Sequence, residues 1–198
     1  MGHLLVLLGA AYLLGGIPTG LLVARFFNGP DPRTVGSGNL GAANLYRILG
    51  PRAGLLTFLG DTLKGTLPVL AALYWLPPLG PWQEAAVSLV GGAAVLGHIF
   101  PIYLGFKGGK GVATSFGVIL VLAPWAGANL LAVYILAVAY TRISSVGSLL
   151  GAWLLPLAVG LFSPSKAYLL LAGVLSGLIL WRHRDNLIRL AKGEEPGI

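Results

Sequence analysis

Three polar stretches interrupt an otherwise apolar chain, and each is built from residues suited to holding phosphate. The middle one runs His98-Ile99-Phe100-Pro101-Ile102-Tyr103-Leu104-Gly105-Phe106-Lys107-Gly108-Gly109-Lys110-Gly111-Val112-Ala113-Thr114. Two lysines bracket a glycine pair just ahead of a helix. Glycines let backbone N–H groups approach a ligand and lysines supply compact positive charge, the physics that P-loops also use, although this is not Walker A spacing. A basic turn that only sets topology would explain the lysines but not four glycines between 105 and 111. The first stretch, Val35-Gly36-Ser37-Gly38-Asn39-Leu40-Gly41-Ala42-Ala43-Asn44-Leu45-Tyr46-Arg47, offers flexible backbone. A helix beginning near Asn39 would draw an anion to its N-terminus, with Asn44 and Arg47, at i and i+3, facing one ligand. By itself it also reads as an ordinary turn. In the third, Arg182 to Glu195, His183, Asn186 and Arg189 recur at i, i+3 and i+6 and fall on one side of a helix. That pattern also fits a snorkelling basic tail.

Other chemistries are excluded. The chain has no cysteine, so it has no thiolate nucleophile, thiolate metal ligand or acyl-thioester route. The base dyad His-x-x-x-x-Asp is absent: five residues after His3, His98 and His183 stand Leu8, Tyr103 and Ile188. No metal or cofactor is expected. Asp61 and Lys64 lie i, i+3 inside an apolar run. They read either as a functional intramembrane pair or as a structural ion pair. His98 reads as a structural histidine at a helix end.

The elements that must carry these stretches are membrane helices. Of 198 residues, 56% are hydrophobic and 10% charged, against about 25% charged in a soluble domain. Seven stretches approach the roughly 20 apolar residues of a span: 4–24, 53–75, 85–104, 112–123, 125–140, 148–162 and 167–181. The fourth is short, and Pro124 predicts a hairpin there rather than one long helix. Glycine pairs at i, i+4 (Gly16/Gly20, Gly147/Gly151, Gly173/Gly177) suit close helix packing. With the N-terminus outside, segments 25–52, 105–111, 141–147 and 182–198 fall on the cytoplasmic side with eleven of the thirteen lysines and arginines, while the outer turns hold only Lys166. The positive-inside rule therefore predicts an all-α polytopic protein of one domain, residues 1–198. It has seven spans, a cytoplasmic C-terminus and its long polar loops on the cytoplasmic face of the cell (plasma, inner) membrane. The net charge of +7 is accounted for by topology and anionic headgroups, which leaves no soluble basic face for nucleic acid.

Taken in order, the three stretches resemble the bacterial membrane acyl-phosphate:glycerol-3-phosphate acyltransferases. Gly36-Ser37-Gly38-Asn39…Asn44…Arg47, then His98…Phe106-Lys107-Gly108-Gly109-Lys110-Gly111-Val112-Ala113-Thr114, then His183-Arg184…Asn186…Arg189-Leu190…Gly193…Glu195 carry the likeness. Asp61-Thr62-Leu63-Lys64-Gly65 and Thr141-Arg142-Ile143-Ser144-Ser145 match between them, so the likeness covers about residues 12–195. Leu40 and Ala43 are minor departures. The resemblance implies transfer of a fatty acyl group from acyl phosphate to the 1-hydroxyl of sn-glycerol 3-phosphate, giving lysophosphatidic acid and phosphate, the first step of phospholipid synthesis. On it, His183, Asn186, Ser37 and Lys107 are the expected catalytic residues. Gly36, Gly38, Asn39, Asn44, Arg47, Gly108, Gly109, Lys110, Gly111, Thr114 and Ser145 are expected to bind substrate. Acyl phosphate is already activated, so substrate-assisted proton transfer is expected, with His183 and Asn186 orienting glycerol 3-phosphate. The expected partners are the two substrates and membrane lipids. The alternative from another class is a transporter or flippase of an anionic lipid or phosphate ester.

Overall fold

The computed structural model describes residues 2–198, an all-helical bundle. The first expected span is two helices, α1 (Gly2–Gly16) and α2 (Thr19–Phe26), bent by 40° at the break. Pro18 is the cause. It has no N–H, and its ring excludes the carbonyl four residues back. At the break the Ile17 carbonyl accepts from Thr19 N at 2.9 Å, and Lys64 Nζ also donates to it, at 2.6 Å. The later elements are α3 (Ala42–Leu49), α4 (Pro51–Trp75), α5 (Gln83–Ile99), α6 (Val112–Leu122), α7 (Pro124–Thr141), α8 (Ser144–Phe162), α9 (Lys166–Arg182) and α10 (Arg184–Ala191). All seven expected stretches are helical, but they are unequal. Gly80–Leu104, α7 and α8 are each long and apolar enough to cross a membrane, and the bent α1–α2 pair makes a fourth. At 11 residues α6 reaches about 16 Å, roughly half the hydrocarbon thickness. At Ala123 the chain folds back, so that Gly127 of α7 packs on the backbone of Leu120. The expected hairpin is present.

Close helix contacts run through members of the predicted pairs and through other glycines: a Cβ on Gly147 would lie 3.0 Å from the Tyr134 carbonyl of α7, and one on Gly16 3.6 Å from the Gly97 carbonyl of α5. A Cβ on Gly15 would lie 2.0 Å from the Ala94 carbonyl, and one on Gly97 2.0 Å from that of Tyr12, so α1 and α5 lie backbone to backbone. Gly65 and Gly117 do the same for α4 and α6. Gly173 and Gly177, in contrast, face open space. The buried core joins Val69, Val90, Val118, Ile119, Val159 and Leu175 from five helices. Leu, Val, Ile, Phe and Trp side chains cover much of the exterior, as a lipid-facing surface requires.

Asp61 and Lys64 are both buried and pair at 2.8 Å. The aspartate also lies 3.7 Å from His98 Nδ1, which has no hydrogen-bond partner. The pair ties α4 to the break in the first span and lies beside the end of α5, and Asp61 and His98 also line the cavity described below.

Candidate functional site

The three polar stretches converge at one end of the bundle, around a cavity of about 180 Å³. Its mouth is polar: Ser37, Asn39, Arg47, Lys110, Ser145, His183, Asn186 and Glu195 line it. Its inner walls are apolar, with Phe116 and Ile119 from α6, Leu130 and Leu131 from α7 and Ala152 and Leu155 from α8. Helical periodicity makes these walls. Gly127, Leu130, Leu131 and Tyr134 share one face of α7, as do Ser144, Ser148, Gly151 and Leu155 on α8.

In the first stretch the helix starts at Ala42, three residues later than expected near Asn39. Asn44 lines the cavity alongside Arg47, but its side-chain amide is bonded within the turn. Its Oδ1 accepts from Ser37 N at 2.8 Å, and its Nδ2 donates to the carbonyls of Pro32, Asn39 and Val35 at 2.9–3.2 Å. Asn44 thus ties the turn together, and its exposure is 1%. Gly36 and Gly38 have φ of +61° and +68°, and a Cβ at Gly36 would also meet Asn44 Oδ1 at 2.2 Å. They lie outside the cavity lining and form the turn that presents Ser37 to the cavity.

The second stretch separates its two lysines. Lys107 is exposed and outside the lining, whereas Lys110 is in it. Gly111, at φ +83°, starts α6 and lines the cavity too. Gly108 and Gly109 do not. They lie against the end of α5: a Cβ on Gly108 would come within 2.1 Å of the His98 carbonyl, and one on Gly109 within 2.2 Å of His98 Nε2. Their close approach is therefore to the protein itself. Thr114 is fully buried outside the lining, its carbonyl against Gly65 of α4.

A chain of hydrogen bonds joins the second and third stretches. Lys110 Nζ donates to Asn186 Oδ1, Asn186 Nδ2 donates to Glu195 Oε1, and Arg189 Nε donates to Glu195 Oε2 at 2.7 Å. Burial pushes Lys110 down to about 8, partly countered by the Glu195 charge. Burial raises the Glu195 carboxyl, but hydrogen bonds from Asn186 and Arg189 and the Arg189 charge help outweigh it, leaving the group below its ordinary value. His183 is held at about 4, chiefly by burial and next by the Lys110 charge. Its ring is therefore neutral at pH 7. Nδ1 lies 2.8 Å from the Ile179 carbonyl and must carry the proton donated there, which leaves Nε2 as an acceptor. Arg47 directs Nε and Nη2 at the carbonyls of Gly197 and Pro196, at 2.7 and 2.9 Å.

Several participants were not legible in the sequence. Arg182 donates to the carbonyls of Gly108 and Gly109 at 3.0 and 3.3 Å and so clamps the glycine loop. Tyr134 lines the cavity and bonds Ser144 at 2.8 Å, and a tyrosine within an apolar run gave no signal. Glu195 appeared only as a position in the third stretch.

Residues 5–193 match the family model described as "Glycerol-3-phosphate acyltransferase". This chain belongs to that family. The acyltransferase is 48% identical over 188 residues to the glycerol-3-phosphate acyltransferase of Thioalkalivibrio sulfidiphilus, covering 95% of this chain and 90% of that protein. It is 46% identical over 191 residues to that of Geobacter sulfurreducens, covering 96% and 95%. A crystal structure of PlsY (YgiH), an integral membrane glycerol 3-phosphate acyltransferase in its glycerol 3-phosphate form, superposes with TM-score 0.91 at 37% identity, covering 99% of this chain and 96% of that one. Its lysophosphatidic acid form gives TM-score 0.89 at 36% identity, covering 99% and 95%. The family resemblance read from the motifs is thereby established, and this is a membrane acyltransferase rather than a transporter.

Proposed function

We propose that the protein transfers a fatty acyl group from acyl phosphate to the 1-hydroxyl of sn-glycerol 3-phosphate at the cytoplasmic face of the plasma membrane. The observation that carries this reading is a cavity whose mouth bears Arg47, Lys110, His183 and Asn186 and whose walls are apolar along α6, α7 and α8. Both substrates have phosphates, and one has a fatty chain. The chain lies along the apolar walls, while the phosphates stay at the mouth with Lys110 and Arg47, charged donors to phosphate oxygens. Lys110, in the lining, takes the part that Lys107 was expected to share.

The hydroxyl oxygen attacks the acyl carbonyl carbon. The bond from that carbon to the phosphate oxygen breaks, and phosphate leaves with the electron pair. A proton acceptor is needed, and His183, neutral and held near 4, is poorly matched to neutral pH. A phosphate oxygen, whose second pKa is about 6, is better matched and takes the proton. His183 Nε2 and Asn186 then orient glycerol 3-phosphate, with Ser37 and Ser145 adding hydrogen bonds. Lysophosphatidic acid and phosphate are the products. Around this site, seven spans with the N-terminus outside form one membrane domain, with α6 the shortest of them.

The test uses purified protein in detergent with glycerol 3-phosphate and either acyl phosphate or acyl-CoA. Lysophosphatidic acid and stoichiometric phosphate from acyl phosphate are expected. Turnover with acyl-CoA alone would overturn the choice of donor.

A further inference from the structure

Three glycines stand in the apolar part of the cavity wall: Gly127, Gly147 and Gly151. A glycine inside a helix is destabilising relative to alanine, so each needs a reason. Packing supplies one for the first two. A Cβ on Gly127 would lie 3.0 Å from Leu120 Cα, and one on Gly147 would lie 2.8 Å from Tyr134 Cδ2. Packing supplies none for Gly151. A Cβ there meets no atom within 4 Å, although the residue lies in the middle of α8 and lines the cavity. What its missing side chain leaves is cavity space.

We propose that Gly151 is a specificity-determining residue that keeps the cavity open to long acyl chains. The proposal rests on the placement of the chain along the apolar walls. Ser144 and Ser145 mark the polar end of α8, and α8 rises about 1.5 Å per residue, so Gly151 lies about 10 Å and Leu155 about 16 Å beyond Ser144. Carbon–carbon bonds of about 1.5 Å at about 111° advance an extended chain by about 1.3 Å per carbon. With the acyl carbonyl level with Ser144, Gly151 stands beside roughly the eighth carbon and Leu155 beside roughly the thirteenth. Leu155 and Ile119, 4% and 1% exposed, belong to the buried core and close the inner end. A side chain at 151 would move that closure back toward the mouth by several carbons and leave the polar groups in place.

The experiment measures kcat/KM for octanoyl and hexadecanoyl donors with the parent, Gly151→Ala and Gly151→Leu. The hexadecanoyl-to-octanoyl ratio should fall tenfold or more in Gly151→Leu. It should fall by about twofold in Gly151→Ala, whose single methyl enters open space and whose melting temperature should equal or exceed the parent's. An unchanged ratio in both variants, or equal loss on both donors, overturns the proposal. If Gly151→Leu does not fold, the Gly151→Ala ratio decides alone. Each length is offered as acyl phosphate and as acyl-CoA. A parent that uses only acyl-CoA overturns the donor reading, while the ratio measured on acyl-CoA still decides the role of Gly151.

Discussion

Gly109→Ala should damage folding and catalysis together. The added Cβ would sit 2.2 Å from His98 Nε2, about 1.2 Å short of ordinary contact at 3.4 Å. Both sides are restrained. The imidazole is buried beside Asp61. The loop is pinned by bonds from Gly109 N and Gly108 N to the His98 and Ile99 carbonyls and by the Arg182 clamp. Overpacking of this kind costs about 1–3 kcal/mol, and for a chain of this size that lowers the melting temperature by about 2–12 °C. The loop also carries Lys110 to Asn186, and a displacement near 1 Å can cost about 10²-fold in rate. The assays are thermal unfolding in detergent and steady-state kinetics at varied glycerol 3-phosphate. Replacing His98 by alanine as well should restore much of the loss, with a coupling of about 0.5–3 kcal/mol. A Gly109→Ala protein that melts with the parent yet has lost activity would refute this reasoning. It would mean that the glycine serves a ligand and not the His98 ring.

Arg47→Lys keeps charge but loses the planar fork now aimed at two carbonyls, so kcat/KM for glycerol 3-phosphate should fall about tenfold or more, measured at subsaturating substrate. Lys110, held at about 8, should lose its charge as pH rises through that value; a pH profile should show kcat/KM declining above pH 8, and Lys110→Arg should abolish that limb even if its maximum is lower. His183→Gln should retain appreciable activity with the parent's pH profile near 6–7, because the histidine is already neutral there; loss by 10²–10⁴-fold together with a lost titration would make it the base. The lowered value also makes the native state bind fewer protons than the unfolded chain between pH 6.5 and 4, so stability should fall as pH drops through that window, less steeply in His183→Gln by equilibrium unfolding. Cysteines placed at Thr34, Gly105 and Gly193 should react with a membrane-impermeant thiol reagent only in opened cells; labelling in intact cells would reverse the proposed orientation.

The helices were legible because apolar length and Pro124 leave a membrane chain few alternatives. The three polar stretches were legible as one working surface because all of them fall on the same predicted side, although the first alone also reads as a turn and the third as a basic tail. Partners across the fold were not legible. Nothing local distinguishes Lys107 from Lys110, and only the turn into α6 decides which reaches the cavity. Asn44 and Arg47 sit at adjacent helical positions, yet the Asn44 amide is consumed by carbonyls up to twelve residues earlier in the chain. Gly108 and Gly109 carry the marks of a ligand loop, but their tightest neighbour is a histidine ring whose position depends on how α5 ends. Pro18 lay inside a run that read as one span, and nothing local showed that a lysine from α4 would meet the Ile17 carbonyl at its break.

That lysine also constrains how the protein is made. An ammonium near the centre of a membrane helix raises the cost of insertion by about 2.5–3.5 kcal/mol. Asp61 offsets part of this within α4 itself, but the other acceptor, the Ile17 carbonyl, belongs to a helix pair synthesised earlier. At the proline break that carbonyl accepts from Thr19 N and still has a second lone pair for the later arrival, so α4 settles at lowest cost in contact with α1 and α2. The glycine loop follows in the chain, so the floor beneath it is assembled before the loop itself exists.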